Sequence, residues 1–294
     1  MKKEISAEFP FESKYLEVKG SKIHYIEEGE GDPILFLHGN PMSNYLWRNI
    51  IPYMTSQGRC IAPDLIGMGK SDKPDINYGF HDSFEYLEAF IKKLDLKNLT
   101  LVLHDWGSGL GFHYANLNRN NIKAIAFMEA MYDAPTTHDM PASVRTALKM
   151  MRTPGLGWLM VQVANVFVTK LIPDMILRKL TKAEKEYYAA PYPTIKSRKP
   201  LLQWPLDVPF NGGKPKDVAK ALSSWNQWLM DSDIPKLFFY VSPGVAIKEK
   251  DVKIIRERMK NLETIDLGEG LHFIQEDYPH EIGEGISEWY QKIS

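Results

Sequence analysis

The sequence is poor in cysteine and carries no excess of either charge. Cys60 is the only cysteine in 294 residues, so an intrachain disulfide and a cysteine-based metal site are both excluded. The 36 lysines and arginines nearly balance the 37 aspartates and glutamates. Nucleic acids and anionic membrane surfaces attract strongly basic proteins, so this balance gives no indication of either partner.

Long apolar runs are also missing. The first nine residues lack the apolar core of a signal peptide, and no later segment is long and uncharged enough to span a bilayer. We therefore expect a soluble, cytoplasmic protein. With 44% hydrophobic residues, the chain is long enough for one large core, or for a core with a lid.

Short alternating or wholly apolar runs follow one another in a regular order. Residues 14–18 and 22–27 alternate on either side of Gly20 and predict an antiparallel hairpin. The run at residues 33–37 is wholly apolar, as expected of a strand buried on both faces. Further strands are predicted at residues 59–62, 99–104, 122–128, 235–241 and 263–267, with a helix predicted over about residues 83–94. Strands alternating with helices predict an α/β fold with a mostly parallel eight-stranded sheet flanked by helices.

The strand pattern stops between residues 133 and 209. This stretch contains helical segments rich in methionine, tryptophan and tyrosine, and prolines interrupt them. An insertion at this point is expected to cover the strand ends and the site above them. We therefore predict a helical cap domain of residues 133–209, inserted after the sixth strand, and a main domain of residues 1–132 and 210–294.

Within residues 99–111, an apolar run breaks abruptly into a glycine-rich helix start, with Asp105 at the corner. A nucleophile at such a corner, followed two residues later by glycine, is typical of the elbow of α/β hydrolases. A carboxylate is ionised at neutral pH, so Asp105 needs no base to displace a leaving group from carbon and form an alkyl ester. The alternative is a simple strand end and helix cap.

Two further residues complete a hydrolase-like order along the chain. Glu129 follows the run at 122–128, and His272 follows the last predicted strand. The order nucleophile, acid, histidine is that of α/β hydrolases. The loop after the penultimate strand, residues 242–244, has no carboxylate, which leaves Glu129 as the best candidate for the acid. Taken alone, a histidine after a strand is ordinarily a surface or capping residue.

Asn40 and Trp106 indicate which bond is attacked. Their backbone N–H groups follow His38-Gly39 and Asp105, where α/β hydrolases stabilise the oxyanion of the intermediate. Their side chains also carry N–H donors, which suit a weakly basic anion such as halide. Each has a simpler alternative, because Asn40 precedes Pro41 in a turn and tryptophan commonly fills a core.

Together these stretches resemble the haloalkane dehalogenases of the α/β-hydrolase superfamily over essentially the full length of the chain. The matching stretches are residues 38–41, 43–48, 64–71, 104–108, 128–130, 165–168, 203–205 and 271–277. The resemblance implies that Asp105 is the nucleophile, His272 the general base and Glu129 its orienting acid. It further implies a halide-binding pair, Asn40 and Trp106, and a pocket lined by Phe167, Leu171, Trp204 and Pro205.

The implied reaction converts a small apolar haloalkane and water into alcohol, halide and a proton. A fixed nucleophile and preorganised donors break the bond, so no metal and no organic cofactor are expected. We expect a monomer or a small homo-oligomer that binds neither nucleic acid nor membrane.

Three other functions stay open at this stage. The Renilla-type coelenterazine luciferases share the five site residues, although Pro41 and Trp106 favour a dehalogenase. Epoxide hydrolases use an aspartate too, but need cap tyrosines to protonate the opening oxygen; the candidates are Tyr132, Tyr187, Tyr188 and Tyr192. A non-catalytic binding protein is the third. Residues 133–140 and 153–157 have no confident counterpart in either family, so the pocket shape and the preferred chain length are not predicted.

Overall fold

A computed structural model describes residues 3–138 and 142–293 of the chain. The end of the unmatched cap stretch, residues 139–140, therefore lies outside the described residues. Within the described ranges, eight strands form one sheet. They are β1 Lys14–Val18, β2 Ser21–Glu28, β3 Pro33–Leu37, β4 Arg59–Pro63, β5 Leu99–His104, β6 Ile122–Ala130, β7 Lys236–Pro243 and β8 Leu262–Gly270.

The sheet is mixed at one edge and parallel elsewhere. Its strand order is β1-β2-β4-β3-β5-β6-β7-β8. The hairpin β1–β2 and the pair β2–β4 are antiparallel, and the other neighbouring pairs are parallel. The predicted hairpin and the mostly parallel sheet are thus confirmed.

Helices cover both faces of this sheet. Their bounds are α1 Phe80–Lys93, α2 Asp105–Leu117, α3 Ala142–Met151, α4 Ile172–Asp174, α5 Lys182–Ala189, α6 Lys199–Asp207, α7 Lys216–Asp231, α8 Glu249–Arg258, α9 Ile274–Asp277 and α10 Pro279–Ile293. Two π-helical segments, Trp158–Val163 and Phe167–Leu171, lie between α3 and α4. None of the helices in the described ranges has the length and apolar character needed to cross a bilayer.

The apolar run of β5 is explained by burial on both faces. Leu101 and Leu103 belong to the hydrophobic cluster that includes residues of α1, α2 and α7. Val102, which points the opposite way in the strand, belongs to a second cluster with residues of α10. A strand between two helical layers has no solvent-facing side, so alternation with polar residues is lost.

Helix α1 begins three residues earlier than the sequence predicts. Phe80 is buried, and its backbone N–H donates to the Asp207 carboxylate at 2.6 Å. This carboxylate comes from α6, more than a hundred residues later in the chain, and supplies the N-terminal cap that Gly79 lacks. A cap from a distant segment leaves no local sequence signal.

Helices α3 to α6 lie between β6 and β7, as expected of a cap inserted after the sixth strand. A third hydrophobic cluster joins this insertion, including Tyr188 and Leu201, to Met42 and Tyr45 of the loop after β3. Helix α7, which follows the insertion, packs against α2 on the sheet.

Buried ion pairs also connect the insertion to the rest of the molecule. Arg48 lies 2.7 Å from Glu184 of α5 and 2.7 Å from Glu276 of α9. Arg178 bonds to the same two carboxylates, and the Tyr188 hydroxyl donates to Glu276. Removing one partner would leave a buried charge unpaired, at a cost of about 3–5 kcal/mol. The network therefore fixes α5 relative to α9, directly after the loop that carries His272.

Candidate active site

Asp105 is held in a strained left-handed conformation between β5 and α2. Its φ is 49°, which is uncommon for a residue with a Cβ. Two glycines make room for this corner. A Cβ on Gly39 would overlap the Asp105 carboxylate, and a Cβ on Gly107 would overlap the carbonyl groups at the end of β3. The sharp turn lifts the Asp105 side chain above the carboxyl end of the sheet.

Backbone donors surround the Asp105 carboxylate. The Asn40 N–H donates to Oδ1 at 2.7 Å, and the Trp106 N–H also faces the carboxylate. Burial raises the pKa of Asp105, but the adjacent His272 and these donors outweigh burial and hold the pKa below its usual value. Asp105 is therefore ionised at neutral pH.

His272 lies between two carboxylates. Its Nε2 is 3.3 Å from Asp105 Oδ2, and its Nδ1 donates to Glu129 Oε2 at 3.0 Å. Burial lowers the pKa of His272, but the two carboxylates outweigh burial and raise the pKa to about 9. The backbone N–H groups of His272 and Phe273 both donate to the Met175 carbonyl of the insertion.

Glu129 lies inside β6, not just past its end, and has a φ of 42°. The strand continues one residue further because Ala130 forms a bridge with Asp105. The Glu129 carboxylate accepts hydrogen bonds from three backbone N–H groups of the loop after β7. These are Val245 at 2.9 Å, Ala246 at 2.7 Å and Ile247 at 3.4 Å. The loop that lacks a carboxylate thus supplies donors to the carboxylate from β6.

Two other histidines support the site, and sequence reasoning missed both. His104 donates from Nε2 to the His272 carbonyl at 2.9 Å, and burial lowers the pKa of His104 to about 3, so its ring is neutral. His38 accepts from the Leu65 N–H at Nε2 and therefore donates from Nδ1 to the Gly39 carbonyl at 2.9 Å. Both histidines directly adjoin a site residue or its glycine in the sequence, Asp105 and Gly39, which was the available signal. Their contacts with His272 and Leu65 join distant segments and leave no local pattern.

The side chains of Asn40 and Trp106 each have an N–H donor that is free to bind an anion, although Asn40 already uses one of its two. Asn40 Nδ2 donates to the Leu201 carbonyl of α6 at 3.3 Å, which leaves its second N–H available. Among the described residues, no group accepts a hydrogen bond from the Trp106 indole N–H. The ring lies 5.0 Å from that of Trp204, centroid to centroid.

The four predicted pocket residues lie in the insertion, and they differ in what they contact. Trp204 packs against Trp106 and is fully buried. Phe167 belongs to the hydrophobic cluster that includes Phe273, the neighbour of His272, and Leu171 packs against that cluster. Pro205 is buried in α6, and its carbonyl accepts a hydrogen bond from Arg152. Of the four, Trp204 lies directly against a predicted site residue.

Other groups in this region are engaged elsewhere. The hydroxyl groups of Tyr132, Tyr188 and Tyr192 donate to Asp251, Glu276 and the Pro41 carbonyl. The Tyr187 ring stacks on Tyr45 with 3.8 Å between centroids. Within residues 3–138 and 142–293, no group of three or more histidine, cysteine or acidic side chains is arranged to hold a metal ion.

This chain is similar to known proteins in family, in sequence and in structure. The model of the alpha/beta hydrolase fold family matches residues 32–178. A haloalkane dehalogenase of Mesorhizobium japonicum is 42% identical over 93% of this chain and 89% of its own. One of Sphingobium indicum is 42% identical over 97% of both. Among solved structures, the ancestral haloalkane dehalogenase AncHLD2 has a TM-score of 0.93 at 42% identity, covering 95% of this chain and 99% of its own. DbeA from Bradyrhizobium elkani has a TM-score of 0.94 at 39% identity, covering 96% and 98%.

Proposed function

This chain belongs to the haloalkane dehalogenase family of the α/β-hydrolase fold, and we propose that it hydrolyses haloalkanes to alcohol, halide and a proton. The observation that carries the proposal is the arrangement of His272 between Asp105 and Glu129, with Asp105 at a left-handed elbow. A buried, ionised carboxylate beside a histidine suits attack on carbon followed by hydrolysis of the ester.

In the first step, Asp105 attacks the carbon that bears the halogen. One carboxylate oxygen forms a C–O bond as the carbon–halogen bond breaks, and halide leaves with the bonding electrons. The lowered pKa of Asp105 keeps it ionised for this attack. The Trp106 indole N–H and the second N–H of Asn40 stabilise the departing halide.

The second step is hydrolysis of the alkyl ester. Once Asp105 is esterified, it has no charge, so one of the two carboxylates that raise the pKa of His272 is lost. Its pKa then falls, which favours the uncharged imidazole, and only this form can accept a proton from the water whose oxygen attacks the ester carbonyl carbon. The backbone N–H groups of Asn40 and Trp106 stabilise the oxyanion, and its collapse releases alcohol and restores Asp105. Glu129 stabilises the imidazolium until the proton leaves to solvent.

The halide donors cannot protonate a leaving group, so rates are expected to follow leaving-group ability. Bromide and iodide should leave well ahead of chloride, and fluoride should not leave. We assign substrate binding to a cap domain of residues 133–209 on a main domain of residues 1–132 and 210–294. Apolar walls from Phe167, Leu171, Trp204 and Pro205 suit an uncharged alkyl chain. We also propose a cytoplasmic location and a monomer or small homo-oligomer.

The test is release of halide from a panel of brominated and iodinated alkanes. We expect release above a buffer control, with chlorinated analogues slower and fluorinated ones inert. A panel that gives no halide would contradict the proposal. Light emission with coelenterazine in the same preparation would favour a luciferase instead.

A further inference from the structure

A second chain of hydrogen-bonded side chains lies outside the candidate active site. Ser13 Oγ is 3.0 Å from His24 Nε2, and His24 Nδ1 is 2.7 Å from Asp64 Oδ2. Ser13 directly precedes β1, His24 lies in β2, and Asp64 directly follows β4. The side chains of His24 and Asp64 are 0% and 1% exposed, whereas Ser13 is at the surface.

The proton positions in this chain follow from the partners of Asp64. Its carboxylate accepts from the backbone N–H groups of Asn44 at 2.7 Å and Lys70 at 2.8 Å. Burial raises the pKa of Asp64, but its bond to His24 and the other donors outweigh burial and lower the pKa. An ionised Asp64 only accepts, so His24 Nδ1 donates to it. With the proton at Nδ1, the uncharged form of the ring carries its lone pair at Nε2, which faces the Ser13 hydroxyl.

This is the order of donors that activates a serine nucleophile. A base takes the hydroxyl proton, and a carboxylate holds the base in the required tautomer. Lys70 Nζ donates to Ser13 Oγ at 3.3 Å, so it places a positive charge next to the hydroxyl oxygen. The Tyr15 ring is 52% exposed and lies 5.2 Å from the His24 ring, so it offers an apolar surface to an aryl group.

We propose that Ser13 is a second nucleophile of this protein, which takes acyl groups from activated aryl esters independently of Asp105. Ser13 Oγ bonds to the acyl carbon, and the bond from that carbon to the aryl oxygen breaks. The Ser13 proton passes to His24 Nε2 and then to the departing phenolate. Water later hydrolyses the acyl-serine with His24 as base, which gives the carboxylic acid and free Ser13.

The site differs from a complete serine hydrolase site in how it stabilises the oxyanion. One flexible lysine takes the place of two fixed backbone N–H groups. Loss of such a fixed donor typically slows acyl transfer by about 10²–10³-fold. The acyl-serine is therefore expected to persist long enough to be isolated.

The experiment uses p-nitrophenyl acetate and peptide mapping by mass spectrometry. Ser56 is the matched control, because it is also exposed and its side chain forms no hydrogen bond with the other described residues. We expect acetyl-Ser13 to form at least about 10²-fold faster than acetyl-Ser56, since a positioned base contributes about that much. Ser13→Ala should remove the acetylated peptide, and Ser56→Ala should leave it unchanged.

His24→Gln keeps the nucleophile but removes the base, and should reduce acetylation of Ser13 by about 10²-fold. Because His24 is buried, this variant must first be shown to unfold cooperatively. Lys70→Ala, a change at the surface, should independently reduce the acetylation of Ser13. Equal acetylation of Ser13 and Ser56 would overturn the proposal. Acetylation of the Lys70 amine in place of Ser13, or full acetylation of Ser13 in a folded His24→Gln variant, would also overturn it.

Discussion

Two histidines of this protein are each held by carboxylates, but in different surroundings. His272 lies between two carboxylates, Asp105 and Glu129, below the cap. His24 lies between one carboxylate, Asp64, and the hydroxyl of a surface serine. The two carboxylates together raise the pKa of His272. One of them, Asp105, is the proposed nucleophile and needs no activation. At the other site, the histidine itself must activate the nucleophile.

Backbone N–H groups donate to a carboxylate at both places, but the proposed role of that carboxylate differs. At Asp105, the left-handed elbow directs the N–H groups of Asn40 and Trp106 at the proposed nucleophile, where an oxyanion could be stabilised. At Asp64, the N–H groups of Asn44 and Lys70 instead point at the carboxylate that orients the histidine. We therefore expect turnover at the first site and slow acylation at the second.

The largest expected effect separates the two sites. Asp105→Asn replaces the nucleophile with an uncharged amide of the same shape, and should reduce halide release by on the order of 10⁴-fold or more. Acetylation of Ser13 should be unchanged. Asp174→Asn, at an exposed carboxylate of the insertion, is the control. Halide release within tenfold of wild type in Asp105→Asn would show that another group attacks carbon.

His272→Phe should separate the two steps of the proposed reaction. Alkylation needs no base, so one equivalent of halide per enzyme should appear before turnover stops. Intact-mass analysis should then show the alkyl group retained, and peptide mapping should locate it on Asp105. Steady-state turnover at the wild-type rate would show that His272 is not the base.

Glu129→Gln should slow hydrolysis of the ester by about 10⁴-fold, the loss typical when the acid of such a triad becomes an amide. Alkylation and halide binding should change far less, because the Glu129 carboxylate is hydrogen-bonded to His272 and to backbone N–H groups of the loop after β7. Rapid-quench measurement of the two steps checks this. Unaltered turnover would indicate another acid, for which Asp133 is the nearest along the chain.

Trp106→Phe tests the proposed halide donor. Removing one fixed donor should reduce halide release by about 10²-fold and weaken binding of bromide as a product inhibitor. Trp158→Phe, at an exposed tryptophan of the insertion, is the matched control and should leave halide release unchanged. If Trp106→Phe behaves like wild type, the donor pair is wrong even if the enzyme is a hydrolase.

The smallest expected effect is on the free energy of unfolding, and it depends on pH. The pKa of His272 is raised to about 9 in the folded protein from an ordinary value of 6.5. A raised pKa stabilises the fold below pH 6.5, and that stabilisation is lost as the pH rises through about 9. The unfolding free energy of wild type relative to His272→Phe should therefore fall across this range. Urea titrations at several pH values measure it, and a difference independent of pH would contradict the raised pKa.

The sequence was sufficient to predict the layered sheet and the order of its strands along the chain. The apolar run of β5 and the hairpin β1–β2 are explained by which faces of the strands are buried. Burial determines the spacing of apolar residues, and that spacing can be read from the sequence. The start of α1 was wrong by three residues because its cap comes from Asp207. The roles of the five site residues stay predictions, although the structure brings Asp105, Glu129 and His272 within hydrogen-bonding or ion-pair distance.

By itself, the sequence determined the fold and the elbow. The apolar spacing of the strands and the glycine two residues after Asp105 are local features of the chain. Only the tertiary structure decided that the loop after β7 donates backbone N–H groups to Glu129, and that Ser13, His24 and Asp64 meet. Almost every residue has a backbone N–H group, so the residue type does not reveal where that group points. The direction depends on how distant segments of the chain pack.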